Sequence, residues 1–310
     1  MEAENQTTTN EFIIVGFFDI PKLQIPLFVA LTLIYPLTLV GNLLIMVIVY
    51  CNRDLHTPMY FFLTNLSFID IIYTTTIAPK MLAQAFQDSA HVSLSDCVVQ
   101  IYFFLATMSV ELILLSLMAY DRYVAICSPL RYMTIMNKAV CIQMAAGSWI
   151  VGLLDALPHS LLLSRLSYCE SHTINHFFCD VTALMTLSCT STRTIEATAY
   201  GLGTLIGFLP FIFIITSYIN IISAVLKIQS SKGRHKVFST CVSHLTVVIL
   251  FYGSICSTYM RPKSTQSMYS NKLMSLSYIA VTPLCNPIIY SLKNKDIKKA
   301  LMKTWNNHKK

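Results

Sequence analysis

Seven stretches of this chain are apolar on every helical face, and short polar segments separate them: residues 25–50, 57–79, 97–120, 139–163, 197–226, 237–260 and 273–292. The first, fifth and seventh contain no Asp, Glu, Lys or Arg. A helix in water keeps a polar face; one that is apolar all round is buried. About 20 such residues, at ~1.5 Å each, cross a hydrocarbon layer ~30 Å thick. Strands of a membrane barrel would alternate apolar and polar over about ten residues, and these runs do not. The pattern predicts an all-α membrane protein, a bundle of seven transmembrane helices, with the long fifth helix tilted or projecting past the membrane. After the last run, the segment KNKDIKKALMKTW (Lys293 to Trp305) spaces Ile297, Leu301 and Trp305 at i, i+4 and i+8, with lysines on the other faces. That predicts a short amphipathic helix lying on anionic lipid. No internal repeat or separate soluble domain is visible, so residues 1–310 read as one domain: a tail 1–24, a bundle 25–292 and a second tail 293–310.

Composition agrees with the pattern, since 55% of the 310 residues are hydrophobic and 12% charged, where soluble domains carry about 25% charged residues. Charge then orients the bundle. If the C-terminus is cytoplasmic, the inner segments hold 15 Lys and Arg and the outer ones 7. The acids run the other way, with 3 inside, 9 outside and 3 in the spans. The positive-inside rule therefore puts the N-terminus outside. The net charge of +7 is explained by topology and implies no nucleic acid. The first twenty residues hold four acids and no basic residue, unlike a cleavable signal, so the first span is expected to insert as its own signal. Asn5-Gln6-Thr7 is a glycosylation sequon on the outer tail, while Asn65-Leu66-Ser67 falls inside the second span and is expected to be silent. Cys97, Cys169, Cys179 and Cys189 lie on the outer side. An oxidising exterior favours bonds among them, and four cysteines leave three pairings open.

Inside the membrane an ionisable side chain costs about 2.5–3.5 kcal/mol. Asp70 and Glu111 are each the lone carboxylate of a span, and Asn42 and Asn286 lie at comparable depth. The residues alone allow a hydrogen-bonded seam or a site for Na⁺ or a proton, since two close carboxylates without a cation oppose each other's ionisation. Pro283 and Pro287 flank Asn286 and break the backbone ladder of the seventh span. Asp155, His159 and His244 read as packing or loop contacts.

Several ordered segments carry a resemblance to a known family. They are Gly41-Asn42, LHTPMYFFLTNLSFID at 55–70, MAYDRYVAIC at 118–127, Ser217-Tyr218, KVFSTCVSHL at 236–245, Phe251-Tyr252-Gly253 and PLCNPIIY at 283–290. With seven spans between them, the chain resembles a rhodopsin-like (class A) G-protein-coupled receptor and, more narrowly, a vertebrate olfactory receptor of the larger, tetrapod-type class. The resemblance implies disulfides Cys97–Cys179 and Cys169–Cys189. It implies that Arg122 faces the G protein beside its counter-charge Asp121 and Tyr123, and that Tyr218 and Tyr290 swing toward Arg122 on activation. Tyr252, Asn286 and Pro287 belong to the same activation set, and Asp70, Glu111 and Asn286 match the family's internal ion site. The implied partners are a volatile odorant, the olfactory stimulatory G protein that raises cyclic AMP, and membrane lipid. No cofactor beyond the internal cation is implied, and the implied location is the plasma membrane. The segment KGRHKVFST offers no acid to pair with Arg122, so the resting state is expected to rest on packing and hydrogen bonds, with Gly253 the soft point of the sixth span.

Helical phase puts Phe104, Leu105, Met108 and Ser109 on the pocket side of the third span, and the family's pocket adds Gly203, Ile206, Ile255 and Tyr259. Phe104 stands where amine receptors carry an aspartate, which excludes a biogenic amine and favours a small, neutral, mostly apolar ligand. Arg261 at the outer rim would instead suit a carboxylate. A class A receptor for a small metabolite is the alternative. A transporter would show an inverted repeat or matched broken helices, and an insect-type odorant channel the opposite orientation. An enzyme is not expected, since G-x-S-x-G and H-E-x-x-H are both missing.

Overall fold

The computed structural model describes residues 11–16, 21–84, 90–169, 172–259 and 268–307. Tyr259 is described by its backbone alone, and Asn5 and Arg261 lie outside these residues. In hydrocarbon no water satisfies backbone N–H and C=O groups, so each apolar run pairs them within itself as a helix. A short strand β1 (Glu11–Ile14) leads into α1 (Pro21–Cys51) and α2 (Pro58–Gln84). Strand β2 (Ala90–Ser93) precedes α3 (Leu94–Cys127), and the single turn α4 (Tyr132–Ile135) precedes α5 (Lys138–Ser164). Strand β3 (Thr173–Ile174) and the short α6 (Val181–Thr186) fill the next connection. The fifth crossing is α7 (Arg193–Gly203) joined through a π-helical segment, Thr204–Phe208, to α8 (Leu209–Leu226). The sixth is α9 (Ser231–Tyr259), and the seventh is α10 (Met268–Leu276), a second π segment, Ser277–Val281, and α11 (Thr282–Lys293). Last comes the amphipathic α12 (Lys295–Asn307).

Among the described residues six crossings are long and apolar enough to span a membrane. Within the sixth crossing the described residues include an apolar helix Cys241–Ser257. Helix starts are capped where the chain leaves the apolar layer: Ser93 Oγ accepts from the Asp96 N–H at 3.1 Å, and Asn137 Oδ1 from the Val140 N–H at 3.0 Å. The third helix continues past the apolar run 97–120, so Asp121, Arg122 and Tyr123 lie within α3, toward its C-terminal end as expected.

α3 is the axis of the bundle and touches α2, α5, α8 and α9. Val110, Leu114, Leu115, Met118 and Ala119 along it are fully buried. Gly152 lets α5 approach, since a Cβ there would run into a Val110 methyl and lie 2.8 Å from the Ala106 carbonyl oxygen. Small residues at such crossings are how membrane helices come close.

One end of the bundle carries both disulfides and a three-stranded sheet ordered β2-β1-β3. β1 pairs antiparallel with β2 (Glu11 opposite Ser93) and parallel with β3 (Ile13 opposite Thr173). Phe12 and Ile14 of β1 point into the cap, where Phe12 meets Tyr168 edge-on at 5.1 Å. The opposite end carries Asp121 and Arg122.

Candidate functional site

Three layers along α3 hold the residues singled out by the sequence. At the disulfide end, Phe104 is buried among the rings of Tyr73 (5.4 Å), Phe178 (5.6 Å) and Tyr278 (5.9 Å). Phe178 arrives with His176 and Phe177 on the loop pinned by Cys97–Cys179, whose Cα atoms are 5.2 Å apart; Cys169–Cys189 closes a second, smaller turn of it. Gln100 of α3 fixes the same loop, accepting from the Cys179 N–H at 3.1 Å and donating to the Thr76 carbonyl at 3.1 Å. His176 sits against Phe177 and Phe178 at 4.4 and 4.5 Å. Burial, reinforced by the Lys272 charge and opposed by Asp180, holds its pKa down to about 4. Buried Lys272 of α10 donates to the Gly16 carbonyl at 2.6 Å and so ties the chain after β1 to the seventh crossing.

Seven of the eight ligand-site residues have described side chains or positions, and these separate in space. Phe104, Leu105 and Met108 share the aromatic cluster. Ile206 and Ile255 are half-buried against the main core, which Met108 also touches. Ser109 turns toward α5 and donates its hydroxyl to Asp155 Oδ2 at 2.6 Å. Gly203 is exposed at the end of α7. Tyr252, from the activation set, donates to the Gly207 carbonyl at 3.4 Å and packs on Phe211 at 4.7 Å.

The middle layer is polar and sealed. Asn286 Nδ2 donates to both oxygens of Asp70, at 3.2 and 3.0 Å, and Asn42 Nδ2 to the Pro283 carbonyl at 3.2 Å. Glu111 lies close enough to Asp70 for their charges to act on each other. All four side chains are buried, yet Glu111 Oε1, Asn42 Oδ1 and Asn286 Oδ1 lack any hydrogen-bond partner. Glu111 Oε1 and Asn286 Oδ1, buried without donors near Asp70, are acceptors that a hard cation, a proton or a water would satisfy. Among the described residues no group of three or more His, Cys, Asp or Glu side chains gathers.

At the far end Arg122 donates two N–H groups to Asp121 Oδ2, one of them at 2.9 Å. Tyr132 of α4 donates to the other carboxylate oxygen at 2.7 Å. Burial and the negative Asp121 raise the Tyr132 pKa, so it stays a donor. His244 Nε2 lies 3.0 Å from the Leu115 carbonyl and Nδ1 2.7 Å from the Tyr218 hydroxyl. The carbonyl can only accept, so Nε2 carries the proton and Tyr218 donates to Nδ1. One imidazole thus ties α9 to both α3 and α8. Tyr290 is fully buried with an unpartnered hydroxyl, Pro287 rests against Gly41, and Tyr123 is half-buried 6.3 Å from Tyr120.

Tyr132, His176 and Lys272 were not singled out by the sequence, and His244 and Asp155 were read there as packing. The only advance signal was that His244 lies within KVFSTCVSHL.

The family model described as "Olfactory receptor" matches residues 31–308. Olfactory receptor 1G1 of Gorilla gorilla gorilla is 45% identical over 303 residues, covering 98% of this chain and 97% of that protein. Olfactory receptor 2G3 of Homo sapiens is 46% identical over 303 residues, covering 98% of each. The crystal structure of squid rhodopsin superposes with a TM-score of 0.75 over 91% of this chain and 80% of that one, at 18% identity, a likeness of fold.

Proposed function

From a chain that belongs to the olfactory receptor family, we propose an odorant receptor of the plasma membrane that binds a small, mostly apolar volatile and activates the olfactory stimulatory G protein, raising cyclic AMP. The disulfide end faces outward and the Arg122 end the cytoplasm. Support comes from the cysteines' need for an oxidising compartment and from the basic residues massed at the other end. The observation that carries the reading is continuity. One helix, α3, bears Phe104 in an aromatic cluster at the outer end and a restrained Arg122 at the inner end, with an incompletely satisfied polar layer between them.

The arrangement is the resting one. Arg122 is occupied by Asp121, and Tyr218 is engaged with His244, so neither is free to meet the other. These bonds stand in for the acid that KGRHKVFST does not supply. An odorant settling among Phe104, Leu105, Met108, Ile206 and Ile255 favours whichever packing of α8, α9 and α11 fits it better. Outward movement of α9 then breaks the His244 links, freeing Tyr218 and, with Tyr290, admitting Arg122 to the G protein. Asp70, Glu111 and Asn286 would hold Na⁺ or a proton in the resting bundle, and the guest would supply charge balance there. Shifting an equilibrium from 1:99 to 99:1 needs ~5.5 kcal/mol of differential affinity. A small volatile offers little of that, so G-protein binding completes the shift.

The test is a cyclic-AMP screen of chemically diverse volatiles in cells that carry the olfactory G protein and display the receptor at the surface. Responses are expected from neutral, largely apolar compounds. A surface-displayed receptor that answers only to charged solutes would contradict the proposal.

A further inference from the structure

On one flank of the bundle, α1, α11 and α12 leave an apolar groove of about 160 Å³ lined by Gly41, Leu44, Ile48, Pro287, Ile288 and Leu301, among others. Its α1 wall runs from Leu37 to Ile48, about 16 Å at ~1.5 Å per residue, which is half of a hydrocarbon core ~30 Å thick. The groove is thus one leaflet deep. It ends at α12, where Ile297 and Leu301 turn inward. Ser291 is its one polar lining residue, and its hydroxyl is already donated to the Ile288 carbonyl at 3.3 Å, so the walls offer nothing to a polar ligand.

Basic residues border this end in sequence: Lys298 and Lys299 follow the lining residue Ile297 on α12, Arg53 lies two residues past α1, and all three are exposed. Two acids stand nearby, and both have partners: Asp54 lies 3.7 Å from Lys303, and Asp296 accepts from the Tyr60 hydroxyl at 3.3 Å. An apolar channel one leaflet deep, ending on a helix whose exposed residues are basic, matches one class of molecule. We propose that the groove is a binding site for an anionic glycerophospholipid of the cytoplasmic leaflet, one acyl chain lying along α1 and α11 and the phosphate meeting Lys298, Lys299 and Arg53. The site takes its leaflet from the orientation given above and needs neither odorant nor G protein. Its occupant rests against Pro287, next to Asn286, and so touches the segment that moves on activation.

The experiment is native mass spectrometry of the purified full-length receptor in detergent, offered equimolar phosphatidylserine and phosphatidylcholine with identical acyl chains. The receptor is expected to retain phosphatidylserine at least about fivefold over phosphatidylcholine, the worth of one basic residue at an anionic surface. Lys298→Gln with Lys299→Gln should bring the two toward parity, and Ser291→Phe, which builds a ring into the groove, should lower retention of both. Melting temperatures close to the parent's show that the variants fold. Equal retention by the parent, an unchanged preference in the lysine variant, unchanged retention in Ser291→Phe, or displacement of both lipids by added cholesterol would each overturn the site. None of these outcomes bears on the odorant screen, so the two readings fail separately.

Discussion

His176 is a base that the fold keeps neutral. Phe177, Phe178 and burial exclude water from it, Lys272 adds a repelling charge, and the Asp180 carboxylate opposes them only in part. Its pKa falls from 6.5 to about 4, so between those values the unfolded chain binds the proton that the folded loop refuses. The stability it contributes is complete above the unfolded value and is lost as pH drops toward the folded one. At pH 5 that amounts to roughly 2 kcal/mol relative to pH 7. Thermal melts at the two pH values should therefore fall further for the parent than for His176→Asn, and equal falls would dismiss the account. Single residues were also where the sequence was least legible. Helical phase put Ser109 on the pocket side of α3, but phase cannot name a partner on another helix, and its hydroxyl is taken by Asp155 of α5, 46 positions away. The same limit hid the Tyr132–Asp121 bond, and it left His244 looking like packing when it bonds to Leu115 and Tyr218.

The spans were legible because bilayer thickness and backbone pairing leave a long uncharged run no alternative to helix. The strands were not legible. β1 is four residues long and exists through partners at 90–93 and 173–174 that no local pattern announces. Nor were the two π segments, which change register without changing hydrophobicity. Helix contact gives a test in which two glycines part company. An added Cβ at Gly152 meets the Ala106 carbonyl oxygen at 2.8 Å, whereas at Gly253 it meets nothing within 4 Å. Gly152→Ala should force α5 off α3 and cost about 1–3 kcal/mol. Gly253→Ala should hold or gain up to about 1 kcal/mol through helix propensity. Melting temperatures of the two variants decide it; similar values would mean that the α3–α5 contact yields more easily than its geometry says.

Across the whole molecule the length of α3 separates the proposed odorant cluster from the proposed G-protein end. The aromatic cluster is roofed by a disulfide-pinned loop and by a strand clipped to the seventh crossing through Lys272. The Arg122 end is held by an ion pair, a tyrosine and an imidazole. Between them the polar layer of Asp70, Glu111, Asn42 and Asn286 is buried but short of donors. The most direct measurement is guanine-nucleotide exchange on the purified olfactory G protein, driven by the reconstituted receptor at a saturating concentration of an agonist from the screen. Arg122→Ala, displayed and folded like the parent, should lose the agonist-dependent acceleration. Exchange as fast as the parent's would contradict the claim that the outer cluster signals through what Arg122 presents to the cytoplasm.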